Sequence, residues 1–191
     1  LAERSNQYAR WALSQGLAKG DVVCLLMTNR PEYFAVWLGI TSVGGVVALL
    51  NTNLVGPSLA HCIHIVSPKH LIVAGEFVDP LTTALPNLTV SPTVWAHGVE
   101  HALFRRIDLD INELPGEMLS PDEQPLPTIG DRALYIFTSG TTGLPKAANI
   151  SHARVLQWSY WFAGMMGVQP ADRMYNCLPM YHSVGGIVAT G

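Results

Sequence analysis

Between residues 138 and 146 the chain reads Thr-Ser-Gly-Thr-Thr-Gly-Leu-Pro-Lys. Thr138, Ser139, Thr141 and Thr142 offer hydroxyl donors, Gly140 and Gly143 offer a free backbone, and Lys146 adds a point charge. That set suits phosphate. Phosphate oxygens need donors that converge, and glycine lets backbone N–H groups approach closely and adopt positive φ. Each hydrogen bond to a charged group contributes about 1.5–3 kcal/mol, so three or four outweigh the cost of ordering a loop. Pro145 removes one donor and stiffens the exit. The plain alternative is a polar turn between two strands, because glycine and threonine are ordinary turn residues.

The common nucleotide loop, G-x-x-x-x-G-K-[ST], does not fit. Counted from Gly140, Lys146 is in register, but Pro145 stands at the second glycine and Ala147 at the metal-binding hydroxyl. The residues after the lysine, Lys-Ala-Ala-Asn-Ile-Ser, read as strand rather than helix. A kinase-like or GTPase-like loop is therefore disfavoured.

A second cluster is Tyr181-His182-Ser183-Val184-Gly185-Gly186. A histidine after an aromatic and before a glycine-rich turn suits a pocket wall, with Gly185 and Gly186 letting a substrate lie close to backbone. Its plain alternative is a histidine that caps a turn. His61 and His64 lie three apart with Cys62 between them, and no fourth ligand stands at zinc spacing. We read them as surface polar positions and assign no metal ligand. Trp158, Trp161 and Phe162 follow an amphipathic helical pattern and are expected in the helix core, the alternative being the wall of an apolar ligand channel.

The elements around these residues alternate. Asp21–Met27, Gly45–Asn51, His70–Gly75, Ser91–Gly98 and Arg132–Phe137 are short apolar runs bounded by turn residues. Between them lie helical patterns: the chain start, Pro31–Val43 with Asn29 as a capping candidate and Phe34, Trp37, Leu38 and Thr41 on one face, and a helix opened by Pro57 whose Leu59, Cys62, Ile63 and Val66 share a face. Ser151 is expected to cap a further helix with Val155, Trp158, Ser159, Phe162 and Met165 in period, Met174–Met180 to return to strand, and the Tyr181–Gly186 stretch to form a loop. Continuous apolar strands between amphipathic helices predict an α/β fold, three-layer α-β-α, with a mostly parallel sheet and helices on both faces. Residues 112–131 hold Pro115, Pro121, Pro125 and Pro127 among acidic residues and read as a surface connection. The chain thus divides into 1–111, the connection 112–131, and 132–191, which carries the loop.

Whole-chain properties narrow the classes. Of 191 residues 49% are hydrophobic and 13% charged, so much of the chain must be buried. The net charge of −3 gives no basic face for nucleic acid. Three scattered cysteines, Cys24, Cys62 and Cys177, argue against a disulfide framework and fit a reducing cytoplasm. From Tyr33 to Ala60 no residue is charged, but Gly44-Gly45 breaks the run into a helix and a strand rather than one membrane span. The start without Met and the stop at Gly191 lead us to expect a fragment.

The stretch Tyr135–His152 resembles the signature loop of the adenylate-forming superfamily, close to [ST]-[SG]-G-[ST]-[ST]-G-x-P-K with a Ser/Thr-His tail. Thr138 to Gly143, Pro145 and Lys146 match it, as does Ser151-His152. The segments Gly16–Leu54 and Asp172–Gly186 are similar to stretches of the same family, and Leu49–Ile63 to its fatty-acid transport proteins and very-long-chain acyl-CoA synthetases. The match is weakest from Glu76 to Pro127. The resemblance implies an AMP-forming acid–thiol ligase. A fatty acid attacks Mg·ATP to give an acyl-adenylate, and coenzyme A then displaces AMP. It implies that Thr138, Ser139, Gly140, Thr141, Thr142, Gly143 and Lys146 hold ATP phosphates. It also implies that Tyr181, His182, Gly185 and Gly186 lie at the acyl pocket. The family's main catalytic lysine, its adenine and ribose motifs and its Mg2+-binding acid map beyond Gly191. No catalytic residue is therefore assigned, and the chain alone is expected to be inactive. The alternatives are a ligase for aryl or amino acids and a non-catalytic fatty-acid transport or binding module. Small-molecule substrates, no nucleic acid, peripheral membrane association and self-association through uncovered apolar surface complete the expectations.

Overall fold

The computed structural model describes residues 1–123, 126–138 and 143–191. Among them, helices α1 (Ala2–Ser14), α2 (Pro31–Ser42), α3 (Gly56–Val66), α4 (Val78–Ala84), α5 (Ile107–Asn112) and α6 (His152–Met166) surround a sheet. Its seven strands are β1 (Val22–Leu26), β2 (Val46–Leu49), β3 (His70–Ala74), β4 (Thr93–His97), β5 (Arg105–Arg106), β6 (Arg132–Thr138) and β7 (Lys146–Ser151). Their order is β5-β4-β3-β1-β2-β6-β7, and every pairing is parallel except β6 with β7.

Side chains alternate between the sheet faces along each strand, and this splits the core in two. Val23, Leu25, Val47, Leu49, Ile72, Trp95, Leu134 and Ile136 meet α1 and α2. Val22, Cys24, Leu26, Val46, Ala48, Leu71, Val73 and Phe137 meet α3 and α4. Both faces are covered, which is why β1 and β2, and β3 after His70, are apolar without interruption. The expected three-layer α/β arrangement is what forms. Burying each large apolar side chain contributes about 1.5–3 kcal/mol. Trp11 and Trp95 add an edge-on pair at 5.2 Å across the first core.

The break at Gly44-Gly45 is real. Gly44 takes φ +84, a left-handed conformation that turns the chain from α2 into β2. No helix of the described residues is long and apolar enough to cross a membrane. The buried face of α2 is turned from the expected one. Tyr33, Val36, Trp37 and Ile40 are buried, whereas Phe34 stacks on Trp37 at its margin and Leu38 is exposed. Leu59, Cys62, Ile63 and Val66 of α3 are all buried, as the period predicts.

Residues 113–131 form no helix or strand among those described, but they are not loose. Asn6 donates to the Gly116 carbonyl at 2.8 Å, Gln7 to Leu114 at 3.0 Å, and Arg10 to Pro115 at 3.0 Å and Glu117 at 2.6 Å. The polar face of α1 thus takes the place of a neighbouring strand for these carbonyls.

Two expectations fail near the end of the chain. Met174–Met180 is not a strand. Pro179 brings no N–H, and the groups beside it bond to a side chain rather than to a sheet edge. The Tyr181–Gly186 stretch is not wholly a loop, because Val184–Val188 forms a π-helical turn. The helix expected after Ser151 does form. Ser151 accepts from the Arg154 N–H at 3.3 Å, and Gly167 closes the helix at φ +63. Its first half packs inward through Val155, Trp158 and Ser159. The expected core role fails for Trp161, 58% exposed, and the expected inward face fails at Met165, 59% exposed. Among the described residues nothing covers this end of α6.

Candidate functional site

Parallel strands point all their carboxyl ends one way, and the turns there converge on one edge. β1 leaves into the turn before α2, β2 into Leu50–Val55, and β6 into the glycine- and threonine-rich loop. Thr138, last in β6, pairs across the ladder with Lys146, first in β7. The hairpin so formed holds both ends of the loop. Ser139, Gly140, Thr141 and Thr142 lie outside the described residues. Gly143 has φ +100, where a side chain would be strained. Pro145 is tied from the side, because the His61 ring on α3 donates through Nε2 to its carbonyl at 2.9 Å. His61, expected as a surface polar position, is half-buried and bonded to the loop exit. His64 pairs instead with the Thr89 hydroxyl at 2.6 Å.

Residues 181–183 form the opposite wall, and the segment 178–180 before them is held in place. Asn29 Nδ2 donates to the Leu178 carbonyl at 2.8 Å, and Asn29 Oδ1 accepts from the Met180 N–H at 2.9 Å. Asn29 therefore does not cap α2. Arg30 is the N-cap, with Pro31 at the first helical position. Asn53 donates to the Tyr181 hydroxyl at 3.1 Å, and the Tyr181 and His182 rings lie 4.6 Å apart. The His182 backbone is fixed twice. Its N–H donates to Pro179 at 3.1 Å and its carbonyl accepts from Gly186 at 2.8 Å.

Between the walls lies a cavity of about 390 Å3, lined by Asn51, Phe137, Thr138, Pro145, Tyr181 and His182 among others. The structure therefore brings Thr138, Tyr181 and His182 together. Lys146 lines an adjoining groove of about 440 Å3 with His61, Arg132, Tyr135 and Asn149. Gly185 and Gly186 do not line the 390 Å3 cavity. A Cβ on Gly185 would meet the Pro179 carbonyl at 2.4 Å, and one on Gly186 the Met180 carbonyl at 2.2 Å. These glycines let the π-helical turn close on its own chain, and Gly186 lines a separate cavity of about 230 Å3 with Phe34, Trp37 and Ser159. A third cavity, about 400 Å3, opens beside Ser183 against Gln157, Trp158, Trp161 and Val188.

The strongest charge cluster stands away from this cavity. Burial would raise the Glu32 carboxyl, but hydrogen bonds from His97, Tyr8 and Arg4 outweigh it and hold it at about 2. The contacts are 3.5 Å to His97, 2.5 Å to Tyr8 and 3.0 Å to Arg4, so Glu32 clamps α1 and β4 to the start of α2. Burial pushes the Cys62 thiol up to about 11 and Cys24 higher still, which makes both inert. Asn29, Asn53 and His61 were missed as site residues. Only a place beside a turn could have flagged Asn29 and Asn53, and nothing local flags His61 in mid-helix, since their partners lie 84 to 151 residues away.

A mostly parallel sheet covered on both faces, with a hairpin loop leaving its carboxyl edge, defines a three-layer α/β protein. The family follows from comparison with known proteins. The family model described as AMP-binding enzyme matches residues 1–190, and the chain belongs to that family. It is 39% identical over 193 residues to long-chain fatty acid transport protein 6 of Mus musculus, covering 99% of this chain and 31% of that protein. It is 36% identical over 192 residues to long-chain fatty acid transport protein 1 of Rattus norvegicus, covering 98% and 29%. The chain thus spans about a third of the length of these relatives. Among solved structures it is similar in fold to an anthranilate CoA ligase in complex with anthranoyl-AMP, at TM-score 0.87 and 22% identity over 98% of this chain and 37% of that one. It is also similar to a long-chain-fatty-acid-CoA ligase from Archaeoglobus fulgidus, at TM-score 0.80 and 19% identity over 98% and 36%.

Proposed function

We propose that the chain supplies the phosphate-loop part of an enzyme that activates a fatty acid with ATP, first to an acyl-adenylate and then to acyl-CoA. The observation that carries this is the cavity at the carboxyl edge, with the end of the phosphate loop on one wall and Tyr181-His182 on the other. In this reading Thr138, Ser139, Gly140, Thr141, Thr142, Gly143 and Lys146 hold the β- and γ-phosphates. The carboxylate lies beside Tyr181 and His182, and the alkyl chain enters the apolar cavity lined by Trp158 and Trp161. Residues 1–111 and 132–191 act as two parts of one domain joined by 112–131, which the pairing of β6 with β2 supports.

The first step joins a carboxylate oxygen to the α-phosphorus and breaks its bond to pyrophosphate. The loop's donors take up the charge that leaves. In the second step the coenzyme A sulfur bonds to the acyl carbon and AMP departs, the thiol proton passing to solvent. Mg2+ comes with the nucleotide. Among the described residues no cluster of three His, Cys, Asp or Glu stands where it could hold a metal, so no step is assigned to one. The fatty acid as substrate class is supported by the similarity to long-chain fatty acid transport proteins.

The test is ATP–pyrophosphate exchange and AMP release by the full-length gene product with oleate, benzoate and amino acids. Oleate-dependent release is expected. Release with only aryl or amino acids would overturn the substrate class, and none with any acid would favour a non-catalytic transport module.

A further inference from the structure

Asn29 stands where the sequence led us to expect a helix cap, yet both ends of its amide are spent elsewhere. Nδ2 donates to the Leu178 carbonyl at 2.8 Å and Oδ1 accepts from the Met180 N–H at 2.9 Å. These two groups flank Pro179, which has no N–H of its own. A segment that includes proline cannot complete a sheet ladder, so its free groups need another partner. A carboxamide suits this task because it carries a donor and an acceptor on one planar group, as a strand neighbour does.

The fold explains why Asn29 can reach. β1 runs to the carboxyl edge of the sheet, and Pro31 starts α2 immediately after, with Arg30 extended at φ −162 and ψ 162. The turn between them is held at that edge, beside the segment 178–180 that leads into the cavity wall at 181–183. From Met180 the restraint passes along the backbone. The His182 N–H bonds to Pro179, next to the clamped groups, at 3.1 Å, and the Gly186 N–H bonds to the His182 carbonyl at 2.8 Å. Asn53 separately anchors the Tyr181 hydroxyl at 3.1 Å.

We propose that Asn29 is a positioning residue for His182: by clamping Leu178 and Met180 it sets where the imidazole stands across the cavity from Thr138. This rests on the reading of the cavity as the adenylation site. Asn29 does not line that cavity. It acts through the backbone it holds, so its loss displaces His182 while leaving the loop's phosphate donors in place.

The test is a double-mutant cycle on the full-length gene product, reading kcat and KM for ATP in adenylation together with Tm. His182→Ala lowers kcat. Asn29→Ala lowers it about 10- to 100-fold, the scale of an ångström of misplacement, with KM for ATP unchanged. In the His182→Ala background Asn29→Ala has no further effect, because the group it positions is gone. Equal losses from Asn29→Ala with and without His182 overturn the positioning role and leave the site reading intact. His182→Ala at wild-type kcat overturns both. A fall in Tm with kcat per folded molecule unchanged assigns Asn29 a structural role only and overturns the proposal. If Asn29→Ala does not fold, Asn29→Asp carries the same comparison. It keeps the acceptor for Met180, loses the donor to Leu178, and is expected to lower kcat in the presence of His182 alone.

Discussion

Substituting alanine for Gly186 separates two roles for a glycine at the edge of a pocket. If the glycine makes room for substrate, the free protein tolerates a methyl group and only binding suffers. The structure argues otherwise. A Cβ on Gly186 would sit 2.2 Å from the Met180 carbonyl oxygen, whereas carbon and oxygen in contact stay about 3.3 Å apart or more. The π-helical turn or the 178–180 segment must therefore move by about an ångström. Overpacking of this kind costs about 1–3 kcal/mol. Spread over a local opening equilibrium, that is about a 5- to 150-fold faster exchange of the amides that hold the segment. Those amides are Met180 to Asn29, His182 to Pro179 and Gly186 to His182. Hydrogen exchange followed by NMR, without substrate, reads each of them. Faster exchange at these three, with core amides such as those of β1 unchanged, is the expected result. Unchanged exchange alongside lost activity would refute the reasoning and return Gly186 to a substrate contact.

Three further outcomes are expected. Lys146→Ala removes an exposed charge at the loop exit; KM for ATP of the full-length gene product should rise about 10- to 100-fold with Tm nearly unchanged, and an unaltered KM would remove Lys146 from phosphate binding. Glu32 has a depressed carboxyl, so its stabilisation is fully present above its ordinary value of 4.5 and is lost as pH falls to about 2. Urea unfolding at pH 6 and pH 3 should show Glu32→Gln losing less stability than the wild type on acidification, by about 1–2 kcal/mol after screening of a partly exposed group, and equal losses would contradict the clamp. A thiol reagent should find Cys177 in the native protein and Cys24 and Cys62 only after unfolding, as their burial requires; fast native reaction of all three would contradict the core.

Much of this fold was legible because its signals are local. β1, β2 and β3 are apolar on both faces, and that follows from lying inside a covered parallel sheet. Pro31, Pro57 and Ser151 mark helix starts through properties of their own residues, and Gly44 ends α2 by taking a conformation others avoid. The candidate phosphate loop was legible for the same reason: its hydroxyls, glycines and lysine are contiguous, and its departure from the common nucleotide loop shows in Pro145 and Ala147.

What the tertiary structure decided was pairing at a distance. The sequence shows that Lys146–Ser151 is extended, but only the sheet makes it antiparallel to β6 and so brings Lys146 opposite Thr138. It shows a strand-like Met174–Met180, but the partner of that segment is a side chain 151 residues away at its Met180 end. Amino-acid type records what a residue can bond to and not which residue will stand in reach. Asn29 reads as a helix cap by type and becomes a clamp by position. His61 reads as a surface residue and becomes a tether for the Pro145 carbonyl. Gly185 and Gly186 read as openings for a ligand, and the chain's own carbonyls already fill the space beside them.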